Sequence, residues 1–128
     1  MIPMLPRAVR VYVATRPVRL NRSFDGLASE VRTALQMDPL SGHVFIFLNR
    51  RRTMVKLLMW TRGGYTIVHK RLERGTFAFA QRVTEGVAQV EIEAHELSML
   101  LEGIELGTAG RSRGSARWEP PQHTRRAA

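Results

Sequence analysis

Three short apolar runs, residues 43–48, 53–60 and 65–70, follow one another with four residues between each pair. They are rich in β-branched and aromatic side chains, and parallel pairing would need a crossover of a dozen or more residues between neighbours. The spacing predicts an antiparallel β-meander. With 49–52 and 61–64 as simple four-residue loops, Leu48 faces Thr53 and Trp60 faces Tyr65, and the period of two assigns the faces. One face collects Val44, Ile46, Leu48, Val55, Leu57, Met59 and Val68, all aliphatic. The other collects Phe45, Phe47, Met54, Lys56, Leu58, Trp60, Tyr65, Ile67 and His69.

The flanking segments add helices and strands. Residues 9–13 read as a strand interrupted by Pro17. From Ser23, a plausible N-cap, the positions of Phe24, Leu27, Ala28, Val31, Ala34 and Leu35 define one apolar helix face that ends at Asp38 and Pro39. Residues 87–92 read as a further strand and 94–102 as a helix with Leu97, Leu100 and Leu101 on one side, stopped by Gly103. The expected class is α+β: an antiparallel meander sheet of about four to five strands packed by two helices on one face. At 128 residues and 44% hydrophobic composition the chain has enough apolar material for one core. The expected domain spans 1–106. Residues 107–128, rich in Gly, Ser, Pro and Arg with Trp118 as the one large apolar side chain, read as a disordered basic tail.

Charge is segregated along the chain. The net +9 divides into +11 over residues 7–82, −6 over 83–106 and +4 over 107–128. A meander brings its first loop and the exit of its third strand to the same edge, so Arg50, Arg51 and Arg52 meet Lys70, Arg71 and Arg74 there. A charged hairpin tip also serves solubility, but clustering six cations costs energy unless an anion or Glu73 offsets it. Phosphate backbone is the natural anion, and the arginine fork suits it. Lys56, alone on the aromatic face, completes the candidate set of nucleic-acid contacts. Its plainer reading is a snorkelling lysine above a second core layer; the functional one is a stacking platform for single strands. Glu91, Glu93, Glu96, Glu102 and Glu105 read as a solvated or internally paired face, with partner docking as the alternative.

The motifs of common catalysts are missing. No HExxH, GxxxxGK[ST], GxSxG or GxGxxG pattern occurs. A two-metal nuclease needs clustered carboxylates, whereas the only aspartates, Asp25 and Asp38, sit where a helix begins and ends. The histidines His43, His69, His95 and His123 lack metal-ligand spacing, and the chain has no cysteine. No enzyme activity, cofactor or metal is expected. The longest apolar runs fall far short of the roughly 20 residues of a membrane span, and residues 1–6 carry two prolines and no signal-peptide pattern. A soluble, cytoplasmic protein is expected.

The residues also carry a family likeness. The stretch from Asp38 through Gly42 and Phe47 to Arg52, then Lys56 to Trp60, then Lys70 to Phe77, resembles the TnpB accessory proteins of bacterial insertion sequence family 66, which are distinct from the RNA-guided nucleases sharing that name. Phe24-Asp25-Gly26-Leu27 and Leu100-Leu101-Glu102-Gly103-Ile104 fit the same pattern, so the likeness spans roughly 8–106. It implies a role in transposition of a mobile element, with DDE chemistry supplied by a separate transposase. Transposon-end DNA, the transposase and other element-encoded proteins are then the expected partners. Three departures mark divergence: Val18 to Ser23 replaces a commoner Thr-Asp-Met-Arg-Lys-Gly, 61–64 replaces an Asp-Gly-Asp-Gly turn, and Phe79-Ala80 replaces Trp-Pro. Two alternatives stay open: a protein-interaction module that does not touch DNA, and an inactive orphan copy.

Overall fold

A computed structural model describes residues 9–77 and 86–103. The elements run β1 (Val11–Ala14), α1 (Phe24–Thr33), β2 (Val44–Leu48), β3 (Met54–Thr61), β4 (Gly64–Arg71), β5 (Gln89–Ile92) and α2 (Ala94–Leu101). They form one five-stranded sheet in the order β4-β3-β2-β1-β5. The tail expected over 107–128, with His123 and Glu105, lies outside the described residues.

The central meander has the expected antiparallel sense. Trp60 pairs with Tyr65 as expected, and the β3–β4 turn tightens to Arg62 and Gly63, because Thr61 pairs with Gly64. Both turn residues have positive φ, 40° and 82°, the geometry of a type I′ hairpin matched to strand twist. The β2–β3 register differs: Leu48 pairs with Val55, not Thr53. The side chain of Asn49 is the reason. Its Oδ1 accepts from the amides of Thr53 (2.8 Å) and Met54 (2.9 Å), its Nδ2 donates to Thr53 Oγ1, and its own amide reaches the Met54 carbonyl. The loop thus shifts to 50–53. A shift of two in register preserves the parity, so the face assignments survive.

Two expectations need correction. The sheet is mixed, because β1 pairs with β2 in parallel, Val11 with Val44 and Val13 with Ile46, while β5 pairs antiparallel with β1 on its other side. The link from β1 to β2 holds α1, and such a crossover returns the chain to the end where β1 began. The helices, moreover, cover opposite faces. Beneath α2, Leu100 packs with Val13, Val44, Ile46, Leu48, Val55 and Leu57; beneath α1, Leu27, Ala28 and Val31 pack with Phe45, Phe47 and Leu58. Every residue of β2 is therefore buried. The edge position of β4 leaves Val68 43% exposed.

Helix starts are at their expected places, but α1 ends short of the stop expected at Asp38 and Pro39. Ser23 occupies the N-cap position of α1 but makes no side-chain cap bond, and the helix stops at Thr33, with Gln36 in the left-handed region. Phe24 and Ala34, expected on the buried face, are exposed, whereas Leu35 is buried. Glu93 and Glu96 form a reciprocal capping box at the start of α2, and Gly103, φ 85°, follows its end.

The type I′ turn carries a cost. Left-handed backbone is about 1 kcal/mol less favourable for arginine than for residues that visit it routinely. Arg62→Asn is expected to raise stability by up to about 1 kcal/mol, and Gly63→Ala to lower it by about as much, both readable from the midpoint of urea unfolding.

Candidate nucleic-acid interface

Arg50, Arg51 and Arg52 form the tip of the β2–β3 loop. The pairing of Met54 with Arg71 and Val55 with Lys70 brings the end of β4 alongside it. The chain then continues along the loop. Leu72 donates its amide to the Thr53 carbonyl (2.8 Å), and Phe77, fully buried, donates to the Arg52 carbonyl (2.7 Å). Arg74 lies on this segment, so the two cationic stretches do meet at one end of the sheet.

The expected cations are not equivalent there. Arg50, Arg51 and Arg74 are exposed, and Arg52 is half-buried with φ 59°. Arg71 pairs with Glu73 at 3.2 Å on an open surface, worth little by itself. Lys70 instead points to the α2 face and donates from Nζ to the Leu101 carbonyl (2.5 Å), placing a cation at the negative end of that helix. Lys56 stands on the α1 face, where Nζ donates to the Arg22 carbonyl (2.7 Å). Phe45 and Phe47 beside it have no exposed surface and form a core layer under α1, while Trp60 and Tyr65 on the same face are half-buried and meet edge-on.

One cation was missed by the sequence reading. The parallel pairing of β1 with β2 carries the exit of β1 to the same end as the Arg50 loop, and Val18 donates its amide to the Leu48 carbonyl (3.0 Å). Arg16 thereby joins Arg50 and Arg52 around a notch of about 130 Å³. The signal was present: strand, helix and strand within about 40 residues is the pattern of a parallel βαβ unit.

Other candidate groups have structural work. His43 Nδ1 accepts from the Arg10 amide (3.1 Å), and its ring meets Tyr12 edge-on. Asp38 Oδ1 accepts from the Leu40 amide, and Ser41 Oγ from the His43 amide, so the turn before β2 is closed by its own side chains. Gly26 lets Arg22 pass close, since a Cβ there would meet Arg22 Cβ at 3.0 Å, and Arg22 pairs with Glu30. Glu91 pairs with Arg10 at 3.5 Å, and Glu96 Oε1 accepts from the Glu93 amide. Among the described residues no group of three His, Asp or Glu could hold a metal, and no helix is long and apolar enough to cross a membrane.

The sequence profile of the IS66 Orf2-like proteins matches residues 9–111. The chain belongs to that family. Two relatives from Sinorhizobium fredii span most of their length: "Uncharacterized protein y4hO", 35% identical over 94% of each chain, and "Uncharacterized protein y4jC", 34% identical over 77% of this chain and 82% of its own. No solved structure matches significantly. Membership associates the protein with insertion-sequence transposition in an accessory role.

Two outcomes test the site's construction. Asn49→Ala removes the acceptor of two loop amides and is expected to cost about 1–3 kcal/mol, measured by urea unfolding. His69 faces Lys56 across β3 and β4, and desolvation, then the charges of Lys56 and Arg71, lower its pKa below the ordinary 6.5. The unfolded chain then binds the proton more readily, so this residue's contribution to stability is full above pH 6.5 and is lost as pH falls below it. His69→Gln should flatten that decline in unfolding midpoints taken between about pH 7.5 and 5.

Proposed function

We propose that the protein is a non-enzymatic accessory factor of transposition that grips DNA, at the element's ends, through the cationic end of its sheet. The observation that carries this reading is the convergence of Arg50, Arg51, Arg52 and Arg74 on one end of the sheet. Among the described residues, none of the four belongs to an ion pair. Exposed like charges held together without counterions favour a polyanion, and phosphate contacts position a protein without reading sequence. Arg71, weakly held by Glu73, is available to the same partner. Lys70 and Lys56 contribute to the local potential while their ammonium groups remain tied to backbone carbonyls. Such a factor works in the cytoplasm beside a separate transposase and leaves the strand chemistry to it.

Docking of a transposase on the acidic segment 83–106 is the alternative, and the capping box weakens it. Glu93 and Glu96 are spent on the start of α2, which leaves Glu102 as the exposed helix carboxylate for a partner. A pull-down with the transposase should therefore compare Glu102→Arg with the unaltered chain. Its loss of capture would favour that reading.

Direct DNA binding has its own measure. Replacing Arg50, Arg51 and Arg52 together with alanine is expected to reduce the slope of log affinity against log salt by about 0.9 for each phosphate that is no longer neutralised. Fluorescence anisotropy with duplex DNA reads this slope. An unchanged slope would remove the tip from the interface.

A further inference from the structure

We infer that the notch outside the carboxyl ends of β1 and β2 is a seat for one backbone phosphate of DNA, with Arg16 as a ligand of that phosphate alongside Arg50 and Arg52. The inference rests on the DNA-binding reading and adds to it a defined site and a residue from a different part of the chain. The notch is lined by Ala14, Thr15, Arg16, Pro17, Leu48, Asn49, Arg50 and Arg52, three arginines and no carboxylate. Its volume of about 130 Å³ suits a tetrahedral oxyanion.

The backbone around it is held in place. On one wall Val18 is bonded to Leu48, and Thr15 donates its hydroxyl to the Val87 carbonyl (2.6 Å) and its amide to the Ala88 carbonyl (3.0 Å). On the other wall, the Arg52 amide donates to the Asn49 carbonyl, and the Arg52 carbonyl is taken by Phe77. The left-handed turn at Arg52 lets Arg50 and Arg52 line the opening while Arg51 does not. Loop and strand exit are thus pre-set, and an anion entering the notch meets three arginines whose backbone is held on two walls. Arginine suits this role, because its planar fork can bind two oxygens of one phosphate.

The same notch would accept a free phosphate, so the test has two arms on the full chain. In the first, inorganic phosphate is titrated while the arginine Nε–Hε resonances are followed; Arg16, Arg50 and Arg52 are expected to shift together, and Arg32, exposed on α1, to stay still. In the second, duplex affinity is measured against salt by anisotropy. Arg16→Ala is expected to lower the slope by about 0.9, Arg16→Lys to retain most of it, and Arg32→Ala to leave it unchanged. A wild-type slope in Arg16→Ala, or an equal drop in Arg32→Ala, overturns the notch and leaves the cationic edge standing. Phosphate that shifts Arg32 as much as Arg16 also overturns it. An unaltered chain that binds no duplex overturns the DNA-binding edge, and with it the notch as a DNA site, even if phosphate still shifts the three arginines.

Discussion

The burial of β2 from both sides is the constraint on which the rest depends. Val44, Phe45, Ile46, Phe47 and Leu48 have no polar residue among them, and alternation sends the two phenylalanines to one helix and the aliphatic residues to the other. A strand of this kind must be central and must be covered twice. That requirement separates α1 from α2, places β1 and β3 on either side of β2, and pushes β4 and β5 to the edges. The loop leaving β2 is anchored to the most buried strand of the fold, which makes an arginine tip a well-positioned device rather than a loose one.

Cations in this protein divide by what their neighbours ask of them. Lys70 completes the end of α2, Lys56 holds the entry to α1, and Arg22 and Arg10 pair with Glu30 and Glu91. These serve the fold. The arginines at the loop and at the exit of β1 have no such duty among the described residues, and they gather at one end. A lysine ammonium satisfies backbone carbonyls as a compact donor, whereas the fork of an arginine on a surface loop is suited to a planar or tetrahedral anion. The distinction divides this chain's basic residues into those tied inward to the fold and those left exposed at one end of the sheet.

Much of the stretch that carries the sequence resemblance likewise serves the fold. The turn from Asp38 to His43 closes through Asp38 and Ser41, Asn49 builds the loop that displays the arginines, and Gly26 admits Arg22. Such residues identify the fold, and the chemistry of transposition has to be argued from what the fold exposes.

The sequence by itself determined the local elements and their faces. Short β-branched runs with brief links can pair only with their neighbours in antiparallel sense, and a period of two survived even the shifted β2–β3 register because the shift was even. It also determined that Arg50, Arg51 and Arg52 meet Lys70, Arg71 and Arg74, since a meander returns its third strand to its first loop. The tertiary structure decided what depends on distant segments. On which side of the sheet each helix lies, and that β5 joins β1 at the far edge, depend on segments distant in the chain. The strand-helix-strand spacing and the all-apolar β2 nevertheless point to a parallel β1 and to cover on both faces. That parallel pairing carried Arg16, far from the loop in sequence, to the loop's side. It also turned Lys56 and Lys70 inward to carbonyls that only the folded chain brings within reach.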